Sequence, residues 1–92
     1  MKFDIFCRVI DNYGDIGVCW RLAQQLSRHA SASGVRLWVD DLQRCRALVP
    51  EVEPSLSHQL VRQVELVHWT DSPPAYTPYD VVIEAFACDP PA

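Results

Sequence analysis

The chain of 92 residues has one lysine, Lys2, three glycines and no apolar run of membrane-spanning length. Without about 18 consecutive apolar residues there is no candidate transmembrane helix. Basic residues are also short, eight Lys and Arg against twelve Asp and Glu for a net charge of −4. A nucleic-acid surface needs a clustered positive excess to displace counterions, so that class is disfavoured and a basic protein partner fits better. The four cysteines, Cys7, Cys19, Cys45 and Cys88, form no C-x-x-C pair, and His29, His58 and His68 have no ligand spacing. The cysteines read as reduced thiols, and no metal set is expected. Gly14 and Gly17 are too far apart to open a G-x-G-x-x-G turn, and a Walker loop is missing as well. Met1-Lys2 runs straight into Phe3-Asp4-Ile5-Phe6 without the charged, apolar and cleavage regions of a secretory leader, so the expected location is cytoplasmic. No repeat or low-complexity tract interrupts the chain.

What remains is the composition of one small globular domain. The apolar share is 49%, and a chain of this size buries roughly 60–65% of its unfolded surface. Residues 3–10, FDIFCRVI, carry apolar side chains at both parities, as in a central strand covered on two faces. Helical spacing begins near Ile16, with Val18, Leu22 and Leu26 as the apolar stripe and Cys19, Ala23 and Ala30 beside it. Arg21, Gln24, Gln25 and Arg28 lie opposite. Trp20, Trp38 and Trp69 read first as packing residues, with the edge of a cleft as the alternative for Trp20, which falls off the stripe. The helix is expected to stop between Ser31 and Gly34. VRLWV at 35–39 is a second strand, Asp40-Asp41 caps a helix over 41–48, and Pro50 closes it. Residues 51–62 read as loop with a short helical turn at 55–62. VELVHW at 64–69 is a third strand, TDSPPAYTPY is proline-rich loop, and DVVIEA at 80–85 is a fourth strand. Strands alternating with helices predict an α/β, Rossmann-like parallel sheet with strand order 3-2-1-4. CDPPA follows the last strand at once, leaving an uncovered edge, which points to a fragment.

In such a sheet, loops and helix N-termini converge at the carboxyl ends of the strands, and ligands bind there. The first of these loops carries Asp11 and Asp15. Two acids at that place suit a positively charged or proton-donating substrate, not a phosphate. Asp15 has an alternative use as a helix N-cap. Glu84, in an apolar run near the end of the fourth strand, is placed beside the first strand, where its carboxylate could face the crevice above Asp11; the alternative is an exposed edge residue. Three acids without a metal motif remain a weak signal for Mg²⁺.

FCRVIDNYGDIGVCWRLAQQL, LWVDD and DVVIEAFACDPP together resemble the amino-terminal end of the elongation factor P arginine rhamnosyltransferases, the EarP family. The likeness covers essentially the whole chain, with I-D-N-[YF]-G-D-I-G and V-I-E-x-F-A-C-x-x-P as its specific motifs; residues 43–77 carry little diagnostic sequence. It implies a GT-B glycosyltransferase of two domains. Residues 1–92 would then be a truncated amino-terminal, acceptor-binding domain, the carboxyl-terminal nucleotide-sugar domain being absent. The implied reaction transfers L-rhamnose, with inversion, from dTDP-β-L-rhamnose to one arginine of elongation factor P. The implied roles are Asp15 as general base and Asp11 as its companion carboxylate. Asn12, Tyr13, Gly14, Gly17 and Glu84 would line the acceptor cleft. No cofactor is implied beyond the donor, which the missing domain would hold, and neither a nucleic acid nor a membrane is an implied partner.

Two other classes compete. One is a non-catalytic acidic module that binds basic elongation factor P. The other is a phosphoacceptor receiver domain, whose adjacent acidic pair, Asp at the end of the third strand and downstream Lys are missing. Here the first acids are four residues apart, the third strand ends in His68-Trp69, and no lysine follows Lys2.

Overall fold

Short runs of β-branched and aromatic residues alternate with two helical segments in the order β1 (Lys2–Cys7), α1 (Gly14–Arg28), β2 (Gly34–Val39), α2 (Leu42–Leu48), β3 (His58–Val61), β4 (Val64–His68) and β5 (Val81–Ala85). The computed structural model describes residues 1–8, 14–29, 34–69 and 77–85, with Glu84 and Ala85 described by backbone alone. The strands form one sheet in the order β3-β4-β2-β1-β5. β1 pairs in parallel with β2 and β5, and β2 with β4, whereas β3 is antiparallel to β4.

The expectation of a four-stranded, wholly parallel sheet is therefore corrected to a mixed sheet of five. The added strand lies in residues 51–62, where a loop with a helical turn was expected. β3 returns into β4 through two residues, Arg62 and Gln63, both at positive φ (48° and 68°). A two-residue hairpin needs that backbone to match strand twist, and Asn-Gly is its usual sequence. Arg-Gln gives no such signal. Arg62 is held by Glu51, with Nε donating to Oε2 at 2.5 Å and Nη2 to Oε1 at 2.8 Å.

Alternation along the strands sorts the side chains into two layers. Ile5, Cys7, Val35, Leu37, Val39, Val64 and Leu66 face the helices and pack with Ile16, Cys19, Trp20, Ala23, Leu42 and Cys45. On the opposite face Phe6, Trp38, Val67 and Trp69 form a second cluster. Phe6 stacks on Trp38 with ring centroids 5.2 Å apart, and Trp69 meets Phe6 edge-on at 5.3 Å. Offset stacking and edge contacts of this kind are the favoured aromatic geometries.

α1 buries a stripe rotated from the one expected. Asp15, Ile16, Cys19, Trp20 and Ala23 face inward, Leu22 and Leu26 pack at its margin, and Val18 is 56% exposed. Trp20 is a core residue, in line with its reading as a packing residue, and the cleft-edge alternative falls away. The helix starts two residues before Ile16 and ends at Arg28, short of the expected Ser31–Gly34 limit. His29 N donates to Leu26 O at 3.0 Å, a tightened i to i−3 last turn. α2 follows its sequence signals closely. Asp41 is the N-cap, its carboxylate accepting from Arg44 N at 3.2 Å, and Pro50, which cannot donate, stands just beyond Val49.

Candidate active site at the carboxyl rim of the sheet

Register brings the ends of the parallel strands to one level. Cys7 is the partner of Val39 and of Ala85, and Val39 is the partner of His68. From this rim depart the β1–α1 connection, the Asp40-Asp41 link into α2, and Trp69. Backbone bonds extend the rim past the strands, Trp69 N donating to Val39 O and His68 N to Ser57 O, both at 2.8 Å. His68 Nε2 lies 3.2 Å from Asp40 O. The Arg8 guanidinium sits over the Trp69 ring, 5.3 Å from its centroid.

Asp15 lies in the first turn of α1 and is 5% exposed, one of two buried charged residues among those described. Since the helix begins at Gly14, Asp15 is a residue of the helix and not its N-cap, so that alternative use is set aside. A carboxylate in a first turn is favoured there by the helix dipole. Beneath it, the Cys7 thiol donates to the Asp15 carbonyl oxygen across 3.6 Å. The neighbouring Cys19 thiol, burial and the negative charge of Asp15 all push the Cys7 thiol's pKa upward. It therefore remains a protonated donor.

Of the other residues singled out from sequence, Gly14 opens α1 and is exposed. Gly17 turns its vacant Cβ position toward α2, 3.9 Å from Leu48 Cδ1, an ordinary contact distance that leaves room for a methyl group. Glu84 occupies β5 as the register partner of Phe6, one residue short of the rim, and its side chain lies outside the described residues. Asp11, Asn12 and Tyr13 also lie outside them. Among the described residues no three His, Cys, Asp or Glu gather as metal ligands, and no helix is long and apolar enough to cross a membrane.

A second charged assembly was not anticipated. Asp4, Arg36 and Glu65 occupy one row across β1, β2 and β4. Asp4 is fully buried and accepts four hydrogen bonds. Arg36 Nε reaches Oδ1 at 2.5 Å and Nη2 reaches Oδ2 at 2.9 Å, Trp38 Nε1 donates at 3.0 Å and Tyr79 N at 2.8 Å. Burial pushes the Asp4 pKa up, but the bonds from Arg36, Trp38 and Tyr79 and the Arg36 charge outweigh it, leaving a net lowering. Arg36 also donates to Thr77 O at 2.9 Å and lies 3.9 Å above the Tyr79 ring. The row thus fastens residues 77–79 to the middle of the sheet. A detectable signal existed: one charge inside each of three otherwise apolar strands, FDIFC, VRLWV and VELVH, is the pattern of cross-strand ion pairing.

The fold and rim define an α/β protein whose candidate chemistry sits where the parallel strands end. A family model described as "Elongation-Factor P (EF-P) rhamnosyltransferase EarP" matches residues 3–92, and the chain belongs to that family. It is 50% identical over 91 residues to a protein-arginine rhamnosyltransferase of Pseudomonas putida, covering 98% of this chain and 24% of the relative. The Shewanella oneidensis protein of that name is 50% identical over 91 residues, 97% of this chain and 22% of the relative. One from Neisseria meningitidis serogroup B is 47% identical over 92 residues, 95% and 23%. The chain spans about a quarter of the length of the curated relatives it matches.

Proposed function

We propose that this chain supplies the acceptor side of an inverting protein-arginine rhamnosyltransferase of GT-B architecture, moving L-rhamnose from dTDP-β-L-rhamnose to an arginine of elongation factor P in the cytoplasm. The observation that carries this is a nearly buried carboxylate, Asp15, in the first turn of the helix beside the sheet rim, in a chain of the EarP family.

The chemistry constrains the roles. A guanidinium holds its proton far more tightly than a carboxylate does, so complete proton transfer before attack costs about 13 kcal/mol. A separate deprotonation step is too expensive for a working enzyme. Asp15 and Asp11 instead orient the planar guanidinium, whose fork matches carboxylates bidentately. One nitrogen attacks the anomeric carbon as the bond from that carbon to the diphosphate oxygen breaks, and its proton passes to Asp15 late in the step. Holding nitrogen and anomeric carbon in line contributes several kcal/mol more through positioning. Asn12, Tyr13 and Glu84 complete the acceptor cleft. The donor is held mainly by a nucleotide-sugar domain outside this chain, and the scheme uses no metal or cofactor.

The test is a full-length chimaera in which residues 1–92 replace the matching segment of the Pseudomonas putida relative. Asp15→Asn abolishes rhamnosyl transfer, read as the mass increase of elongation factor P, while donor affinity stays unchanged. Near-normal turnover refutes Asp15 as the base. The net charge of −4 supports a second reading, in which the isolated chain binds elongation factor P without catalysis. In that case affinity falls steeply with salt, and addition of the donor gives no product.

A further inference from the structure

We propose that Cys7 is a positioning residue for Asp15: a thiol strut from the sheet rim that fixes the peptide carrying the carboxylate. The proposal rests on the assignment of Asp15 as the base. Cys7 is the last residue of β1, and its side chain points into the layer beneath α1. It donates to the Asp15 carbonyl at 3.6 Å. Cys7 is fully buried and Cys19 nearly so, and both are free thiols. The Asp15 carbonyl belongs to the first turn of α1, where the helix's own i to i+4 bond comes from Cys19 N–H. The thiol is therefore a second donor to that carbonyl, arriving from another element.

Packing alone does not require a thiol here. At the same level of the sheet, Val39 fills the layer with a plain apolar side chain. What Cys7 adds is a donor that ties strand to helix at the residue that carries the carboxylate. Fixing the Asp15 carbonyl fixes its Cα, and the carboxylate lies only two bonds beyond. A misplacement of about 1 Å at such a group can lower turnover by about 100-fold while leaving binding intact.

The experiment uses the same full-length chimaera with Cys7→Ala, Cys7→Val and Cys7→Ser, reading kcat and acceptor KM at saturating donor together with the thermal midpoint. Alanine and valine keep the layer apolar but remove the donor. Their kcat falls by roughly 10- to 100-fold with acceptor KM within about twofold. Serine restores an O–H donor at a shorter reach and recovers part of kcat. It is nevertheless the least stable of the three, because a hydroxyl in an apolar layer is costly to bury. Activity and stability thus rank in opposite orders. If kcat follows the thermal midpoint, or serine is no more active than alanine, Cys7 is only a packing residue and the proposal is overturned. Asp15→Asn measured alongside separates the two ideas. A fully active Asp15→Asn defeats the catalytic assignment itself, whereas an inactive Asp15→Asn beside a fully active Cys7→Ala defeats only the strut.

Discussion

Replacing Asp4 by asparagine changes almost no volume, so it isolates charge and acceptor number. The four donors to Asp4 divide evenly, Arg36 Nε and Trp38 Nε1 on Oδ1, Arg36 Nη2 and Tyr79 N on Oδ2. An asparagine presents one oxygen to one pair and an NH₂ to the other, setting donors against donors in a fully buried place. Arg36, whose side chain is 11% exposed, loses its close counter-charge but keeps contacts that include Glu65 at 3.8 Å, Thr77 O and the Tyr79 ring. Removing one partner of a buried pair costs about 3–5 kcal/mol. The contacts left to Arg36 place the cost at the lower end, about 3 kcal/mol, against a total of about 5–14 kcal/mol for a domain of this size. That corresponds to a fall of about 12–24 °C in thermal midpoint.

Urea and thermal unfolding followed by near-ultraviolet circular dichroism, to which Trp38 contributes, measure this effect. A loss below about 1 kcal/mol is the figure for an exposed ion pair, and it would refute the buried network. The double replacement Asp4→Leu with Arg36→Met tests the sign of the charge itself. Removing both charges leaves no buried charge unpaired, although Trp38 Nε1 and Tyr79 N lose their acceptor, so the double variant is more stable than Asp4→Asn alone.

Acid titration follows from the same row. Because the folded pKa of Asp4 lies below its ordinary value of 3.8, its contribution is fully present above that value. It is lost as pH falls from that value through the lower folded pKa, so the wild-type chain loses stability on acidification below the ordinary carboxylate range, and Asp4→Asn lacks that component of the slope. Gly17→Ala meets only ordinary contact with Leu48 and gains helix propensity, raising stability by about 0.5–1 kcal/mol in urea unfolding. Should it also spare transfer in the chimaera, Gly17 is a packing residue and not part of the acceptor cleft. Gln63→Gly relieves a positive-φ position in the β3–β4 turn and stabilises by about 1 kcal/mol by the same measurement; a loss of stability would mean that the Gln63 side chain outweighs its backbone strain.

Where a single local rule decided the outcome, the sequence was legible. The apolar cores of β2, β4 and β5, the Asp41 cap and the Pro50 stop agree within a residue with composition and capping chemistry, whereas β1, expected to run to residue 10, ends at Cys7. β3 was not, because Arg62 and Gln63 adopt left-handed backbone without glycine or asparagine, and the strand's own HQLV has little β signal apart from its pairing with β4. The phase of α1 was misjudged because Val18, Leu22 and Leu26 obey helical spacing as well as Ile16, Cys19 and Ala23 do. Only the fit of Cys19 and Ala23 against a tightly covered sheet chooses between the two faces, and small residues there let the helix approach closely. Asp15 was chosen for its place on the first loop and by family likeness; that it would be nearly buried was not foreseeable, since burial depends on which face α1 turns inward.

Asp4 and Asp15 are both buried carboxylates associated with β1, and strand polarity explains why only one is a candidate for chemistry. Asp4 lies three residues, about 10 Å, before the rim, within the sheet, where flanking strands provide Arg36 and Trp38 and the incoming chain provides Tyr79. A carboxylate with four donors in place has its acceptor capacity occupied by the protein, and its lowered pKa makes it a poor proton acceptor. Asp15 is carried past the strand ends by the β1–α1 connection, to the level at which parallel strands stop and helix N-termini begin. There a substrate can approach without breaking a sheet bond. The charge inside the sheet thus serves stability, and the charge at its edge is the one the proposed function uses. Under this division Asp4→Asn changes the unfolding free energy of the chimaera but leaves its acceptor KM unchanged at temperatures well below the midpoint, whereas Asp15→Asn removes turnover.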